Sequence, residues 1–303
     1  MVEDVVIFTD EPGWHGRELV RYCAERGHCA HFVSLTDCHI DLGETGHGLV
    51  IPGFAPRLPG AAFVRGIAGG SLEEITVRLD FLHLLDALGC PVFNTARAIE
   101  RTVDKAMTSV LLRLHGVPTP RTFVSADLDA ARVYVARTLE AGRTLVKKPL
   151  FGSQGAGLRL ITRADDLGYL LPGEVAYLQD FVAGASGPYR DCRVMVIDGK
   201  AVAAMERTSA HWITNRARGA ACTGLALAAA PVALAETAAA AVGAAYAGVD
   251  LLRDRAGQWQ VIEVNGIPAW QGLQQATDVD VSALLGAAFL DRLAAAQPVR
   301  QNA

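Results

Sequence analysis

Near the C-terminal end of the chain, two carboxylates and an amide stand close together: Asp250, Glu263 and Asn265. Between them, Asp254-Arg255-Ala256-Gly257 reads as a four-residue hairpin turn. Pairing Arg253 with Gln258 across that turn sets Asp250 opposite Val261. Side chains alternate along a strand, so Trp259, Val261, Glu263 and Asn265 share one face. Asp250 joins them, diagonal to Glu263 at roughly 7–8 Å. Hard oxygens converging in this way suit Mg²⁺ that bridges phosphates. A solvated polar strand face would need no metal. However, Val249, Leu251, Leu252, Ile262 and Val264 make this a largely buried hairpin, where unpaired carboxylates are costly and a cation is favoured.

Two further groups point to the same chemistry. Leu145-Val146-Lys147-Lys148 reads as a strand. It runs through Pro149-Leu150-Phe151 into Gly152-Ser153-Gln154-Gly155-Ala156-Gly157, and Leu158 to Ile161 resumes as strand. Glycines let successive backbone N–H groups turn toward an anion, and a lysine at the strand end adds a point charge. The loop has neither the Gly-Lys-Ser/Thr of a P-loop nor the Gly-x-Gly-x-x-Gly of a dinucleotide site. A strand–loop–strand of this kind would fold over phosphates as a flap, whereas the plain alternative is an ordinary hairpin. The third group is Asp191-Cys192-Arg193 leading to Glu206-Arg207, His211, Asn215, Arg216 and Arg218. Arginines beside an oxygen-ligated metal suit stabilisation of negative charge that develops during reaction; singly, each could be a surface ion pair. The eight histidines show no zinc-ligand spacing, and Ser153 has no nucleophile-elbow context.

The elements that must position these groups alternate between strand and helix. Val5–Phe8, a turn at 9–13, a helix over Arg17–Arg26 and a strand over His31–Leu35 open the chain as an α/β unit. Residues 40–60 read as loop, followed by a strand at Ala62–Val64, a helix at Leu72–Leu88 and a closing strand before residue 93. A helix over Ala96–Leu114, another over Leu128–Glu140 and short strands up to Phe181 follow. The last stretch holds strands at Val194–Ile197 and Ala201–Glu206, an Ala-rich helix over Val232–Ala247, the hairpin and a terminal helix. With 303 residues, 51% hydrophobic and 20% charged, the chain is globular rather than disordered. A net charge of −4 gives no global attraction for nucleic acid or anionic membrane. The acidic start and the lack of a long apolar run argue against export or membrane insertion. Six cysteines without a Cys-x-x-Cys pair then read as free thiols in a reducing cytoplasm.

Taken in order, these elements resemble the ATP-grasp ligases, in particular the RimK-like α-L-glutamate ligase group. The resemblance rests on Phe63-Val64-Arg65-Gly66-Ile67, Asp104-Lys105, Lys148-Pro149-Leu150 with its glycine loop, and Gln179-Asp180-Phe181-Val182. It continues through Asp191-Cys192-Arg193, Ala203-Ala204-Met205-Glu206-Arg207, Asn215, Gly248-Val249-Asp250 and Glu263-Val264-Asn265. The matches span about two thirds of the chain. The fold implied is α/β (α+β): an ATP-grasp fold behind an N-terminal Rossmann-like domain. The division is an N-terminal domain at 1–93, a central lid at 94–181 and a C-terminal subdomain with the metal site at 182–303.

Roles follow from the resemblance residue by residue. Lys105 and Lys148 would contact ATP phosphates, and the loop of Gly152, Ser153, Gln154, Gly155 and Gly157 would cover them. Gln179, Asp180, Phe181 and Val182 would hold adenine, largely through backbone groups. Asp191 would lie near the ribose, Asn215 would complete the ATP site, and Arg207 would stabilise the transferring phosphoryl group. Asp250, Glu263 and Asn265 would hold two Mg²⁺ ions, for which Mn²⁺ can substitute. The expected reaction joins a carboxylate to an amine through an acyl phosphate. The acid would be a small cofactor or a peptide terminus and the amine L-glutamate, in a cytoplasmic enzyme compatible with a homo-oligomer. The stretch Glu263 to Gln274 looks most like the branch that glutamylates pterin or furan C1 cofactors. Other peptide or carrier-protein ligases, or a non-catalytic nucleotide-binding regulator, are the alternatives. Three positions depart from the family pattern: Ile213 replaces a basic residue, Pro268-Ala269 a Pro-Gly, and Asp180 a Glu.

Overall fold

A computed structural model describes residues 3–43, 46–152, 155–169, 173–182, 184 and 188–296. The first unit comprises β1 (Asp4–Phe8), α1 (Gly13–Ala24), β2 (Cys29–Val33), β3 (His39–Ile40), β4 (Leu49–Val50), β5 (Ala62–Val64), α2 (Leu72–Ala87) and β6 (Val92–Phe93). Its sheet runs β2-β1-β5-β6, with every pair parallel. Buried on both faces, β1 and β5 read as unbroken apolar runs rather than alternations. The expected loop at 40–60 carries the small antiparallel pair β3–β4.

Next come α3 (Ala96–Val103) and α4 (Lys105–Leu114). The expected single helix over Ala96–Leu114 is thus two, broken at Asp104. The Asp104 carboxylate accepts from the Ala106 and Met107 amides at 2.8 and 3.1 Å, capping α4. This places Lys105 at the first position of a helix rather than inside one. Although the sequence suggests a central unit over 94–181, Ala98, Leu112 and Val117 pack into the core of the last sheet.

The lid proper holds β7 (Thr122–Ser125), α5 (Leu128–Glu140), β8 (Leu145–Lys148), β9 (Arg159–Ile161) and β10 (Ala176–Asp180). Its antiparallel sheet is ordered β7-β10-β8-β9, and α5 buries Ala131 and Val135 against it.

The remainder is β11 (Tyr189–Ile197), β12 (Lys200–Ser209), β13 (Ala221–Leu225), α6 (Ala229–Val242), β14 (Tyr246–Arg253), β15 (Trp259–Asn265), α7 (Gln271–Ala276) and α8 (Val281–Ala295). The sheet order is β13-β12-β11-β14-β15. The Ala-rich helix ends earlier than its composition suggests, because Gly243 adopts φ +75° and stops it. Helix α8 crosses back to the first unit, where Leu285, Phe289 and Leu293 pack with Ile7, Leu19 and Phe63. Asn94, fully buried, stitches the two units together. Its amide donates to the Tyr246 and Gly266 carbonyls at 2.6 and 2.8 Å, and its oxygen accepts from the Ala245 and Tyr246 amides at 2.6 and 3.2 Å. Among the described residues no helix is long and apolar enough to cross a membrane.

Candidate active site

The β11–β15 sheet has two unlike faces. Cys192, Val194, Ala204, Val249 and Leu251 turn toward α6 and bury there. Side chains alternate, so Asp191, Arg193, Arg207 and Asp250 emerge on the other side. The register then sets them in rows. Arg193 pairs with Asp250 across β11–β14, Asp250 with Glu263 across β14–β15, and Asp191 with Arg207 across β11–β12.

The hairpin register differs from the one expected. Arg253 lies opposite Trp259, and the Asp254 amide bonds the Gln258 carbonyl at 3.0 Å, so the turn is one residue longer. The pairing shifts between Asp250 and Leu251, leaving Ile262 as the extra residue of a β-bulge. The bulge turns Glu263 to the side opposite Val261, which packs against α6 with Leu251. Asp250 and Glu263 therefore face each other directly rather than diagonally. The expected single face of Trp259, Val261, Glu263 and Asn265 is split by the same bulge.

Asp250 is buried and held by two arginines. Arg193 grips it through Nε to Oδ1 at 2.6 Å and Nη2 to Oδ2 at 2.7 Å, and Arg207 Nη2 approaches Oδ2 at 2.9 Å. Burial alone would raise the Asp250 carboxyl, but the two guanidiniums outweigh it and hold it at about 2. Asp191, for which the resemblance implies a place near the ribose, lines the cavity, and its oxygens are engaged within the protein. Arg207 donates through Nε and Nη2 to its two oxygens, each at 2.6 Å, and the Thr214 hydroxyl donates to Oδ2 at 2.5 Å. Arg207, only 3% exposed, is thereby fixed from two sides, with Nη1 left unbonded among the described residues.

This charged end of the sheet walls a cavity of about 820 Å³, within the ~300–1,000 Å³ span of small-molecule sites. The facing wall comes from the lid. Lys148 donates to Gln179 Oε1 at 2.6 Å, and burial pushes its ammonium down to about 8. Its neighbour Lys147 turns away to Glu174 at 2.8 Å, so of the two consecutive lysines only Lys148 reaches the cavity. Lys105 reaches in from the start of α4, donating to the Leu150 and Gly152 carbonyls at 3.3 and 3.0 Å. Burial lowers its ammonium too, while Glu263 opposes the shift at both lysines. Asp180, Phe181 and Val182 edge the cavity beside Gln179. The Asp180 and Phe181 amides are already used, bonding the Arg121 and Thr144 carbonyls at 2.8 Å each. Asp180 Oδ2 accepts from Arg143 at 2.6 Å.

Of the glycine loop, Gly152 and Gly155 line the cavity, Gly157 does not, and Ser153 and Gln154 lie outside the described residues. Gly155 has φ +70°, and a Cβ there would come within 2.7 Å of Asn215 Oδ1 and 2.8 Å of Ile213. The loop thus packs on the β12–β13 connection, which brings Asn215 to the cavity as well. Asn265 stands apart from the cavity wall: it sits opposite Gly248, and its Oδ1 accepts from the Ile267 amide at 3.0 Å.

The donors suit a hard divalent cation. Glu263 makes no hydrogen bond among the described residues, and its carboxylate is half-buried at the cavity wall. A carboxylate offers about four lone-pair sites, of which three guanidinium N–H groups occupy three at Asp250. The set therefore fits a cation centred on Glu263, with Asp250 shared between metal and arginine. Among the described residues no cluster of three or more His, Cys, Asp or Glu side chains could hold a metal, so the acidic donors of this set are Asp250 and Glu263 alone. Sequence reasoning grouped Arg193 with the other arginines of this stretch without naming Asp250 as its partner, and it gave no role to Thr214. The signal was available for Arg193, which lies two residues from Asp191 and so on the same strand face.

Residues 102–288 match the RimK-like ATP-grasp domain. Over 228 residues the chain is 35% identical to the tetrahydromethanopterin:α-L-glutamate ligase of Methanococcus maripaludis, covering 73% of this chain and 75% of that one. It is 29% identical over 215 residues to the α-aminoadipate–LysW ligase LysX of Saccharolobus solfataricus, covering 67% and 75%. In fold it is similar to the ATP-grasp ligase PsnB, solved with a minimal precursor, Mg and ADP: TM-score 0.73, 21% identity, 96% of this chain and 98% of that one.

Proposed function

Because the chain belongs to the RimK-like ATP-grasp family, we propose that it is an ATP-dependent carbon–nitrogen ligase that adds L-glutamate to a carboxylate of a small pterin- or furan-type cofactor. The observation that carries this reading is the cavity between lid and sheet. Two lysines and a glycine loop face Asp250 and Glu263, with Arg207 clamped beside them. Cationic side chains on one wall and carboxylates on the other suit a polyphosphate held with a divalent metal.

In this reading Lys105 and Lys148 hold the phosphates. Backbone of the Gly152–Gly157 loop covers them, and Gln179 to Val182, with Asn215 across the cavity, hold the base and sugar end. Glu263 and Asp250 would hold Mg²⁺ or Mn²⁺, which when bound neutralises phosphate charge; Asn265, two residues along β15, would join them only by giving up its bond from the Ile267 amide. Asp191 and Thr214 keep Arg207 aimed with its free Nη1 available to oxygen that gains charge as the phosphoryl group moves to the acid. Its full effect comes in the transition state because the guanidinium is already in place. The amine then attacks the acyl phosphate and phosphate leaves. Among the described residues of this wall no Ser, Cys or His is paired with a base in a nucleophilic arrangement, so in this reading the acyl group is carried on phosphate and not on the enzyme.

Incubation with ATP, Mg²⁺, L-glutamate and a panel of pterin, furan, peptide and carrier-protein acids, followed by mass analysis, tests the assignment. A cofactor product heavier by one or more glutamyl residues is expected. Glutamylation of a carrier or peptide acid alone would move the acid to the LysX-like alternative, and nucleotide binding without turnover on any acid would favour a regulator.

A further inference from the structure

Outside that cavity, Arg65 is a partly buried cation that makes no ion pair among the described residues. Burial lowers its pKa. Its one hydrogen bond goes from Nη1 to the neutral Ile267 carbonyl at 3.3 Å, and its guanidinium lies 5.1 Å from the Trp270 ring centre. A desolvated cation without a counter-charge is costly and marks a place where an anion is expected.

The surroundings are built for one. His15 Nε2 accepts from the Trp270 and Gln271 amides at 3.1 and 3.2 Å, which puts the ring proton on Nδ1. Burial, then the Arg65 and Arg216 charges, keep the imidazole neutral down to about 4. The site therefore offers a guanidinium fork and a fixed neutral N–H donor. Trp270 is fully buried, locked by its indole N–H to Ser282 Oγ at 2.8 Å, and stacks edge-on to His15 at 4.6 Å. Topology explains the location. From β1 the chain crosses to β2 on one side and returns to β5 on the other. In parallel sheets, ligands bind beyond the carboxyl ends of the strands at such a switch point. His15 follows β1 and Arg65 follows β5. Arg65 also touches Ile267, two residues beyond Asn265.

We propose that Arg65 and the His15 Nδ1–H grip a non-reacting carboxylate of the amino-acid substrate, fixing its amine toward the metal-binding hairpin. This rests on the ligase reading above and names the feature of the amine that is recognised. Arg65 is then a binding residue for that carboxylate, and the analogue that binds weakly names which of the two it is.

The test titrates L-glutamate, L-glutamine and 4-aminobutyrate into full-length protein loaded with a non-hydrolysable ATP analogue and Mg²⁺. The first analogue lacks the side-chain carboxylate and the second the α-carboxylate. Wild-type protein should bind one of them roughly 10- to 100-fold more weakly than glutamate, the size of a lost charge-assisted hydrogen-bonded contact. Arg65→Gln should weaken glutamate by a similar factor and abolish that discrimination, with affinity for the ATP analogue unchanged. Arg65→Lys, which keeps the charge without the fork, should fall between and serves if the glutamine variant fails to fold. Wild-type discrimination retained in a folded Arg65 variant, weakening of the acid substrate alone, or no glutamate binding to wild type would each overturn the clamp. Tight glutamate binding without amide formation on any acid would instead overturn the ligase assignment and leave the clamp standing.

Discussion

Replacing Glu263 by alanine should lower turnover roughly 10³-fold, the scale on which a group stabilising transition-state charge acts, while leaving the fold intact. The second half of that expectation comes from what Glu263 does not touch. Its carboxylate has no hydrogen-bond partner among the described residues. Asp250, opposite it, is held by Arg193 and Arg207, so alanine strands no buried partner. The first half comes from where it points: across the cavity toward the charges of Lys105 and Lys148, with Asp250 directly facing it. Raising Mg²⁺ should restore part of the loss if binding of the cation is what suffers. Thermal unfolding and steady-state kinetics on the same preparation check both halves. Near-normal turnover by a folded variant would remove Glu263 from the metal site. Asp250→Ala is a poorer probe, since it leaves the Arg193 guanidinium unpaired and strips Arg207 of one of its two carboxylates, and so costs stability as well as activity.

Arg207→Lys should cost about as much in kcat, roughly 10²- to 10³-fold, with ATP affinity changed by only a few-fold. Lysine keeps the positive charge but not the planar fork. It cannot at once meet both Asp191 oxygens and Asp250, as Arg207 does at 2.6, 2.6 and 2.9 Å. Asp191→Asn should follow the same pattern more mildly, because it leaves the guanidinium present but less firmly aimed. Comparing kcat with the dissociation constant of an ATP analogue separates this from a defect in nucleotide binding. A loss confined to ATP affinity would reassign Arg207 to holding the nucleotide.

Much of this site was legible before the structure because its signals are local. Strand–glycine loop–strand marked Lys148 and the loop, and the clustering of Asp191, Arg193 and Arg207 in one stretch marked a charged site. The order of short motifs tied them to one family. What escaped the sequence depended on a single residue's displacement. The bulge at Ile262 has no compositional signature, yet it decides that Glu263 faces Asp250 and parts company with Val261. The break at Asp104 did have a signature, an Asp able to cap, but helical periodicity on both sides hid it. The contact between Asp191 and Arg207 was hidden for a different reason. Whether a carboxylate meets a ribose or a guanidinium depends on which strand pairs with its own, and the Asp191–Arg207 register is a tertiary fact. The packing of α3 and α4 on the last sheet, and of α8 on α1, was likewise invisible, since an apolar stripe does not name the surface it will cover.

The acyl phosphate at the centre of the proposed reaction is open to direct measurement. The acid substrate identified by product analysis is prepared with ¹⁸O in its reacting carboxylate and turned over with ATP, Mg²⁺ and L-glutamate. Transfer of the terminal phosphoryl group to that carboxylate, followed by attack of the amine, carries one carboxylate oxygen away with phosphate. The released inorganic phosphate should therefore contain one ¹⁸O, with ADP as the other nucleotide product. Formation of AMP and pyrophosphate, or of phosphate without label, would contradict the mechanism derived from the lysines, the carboxylate pair and Arg207.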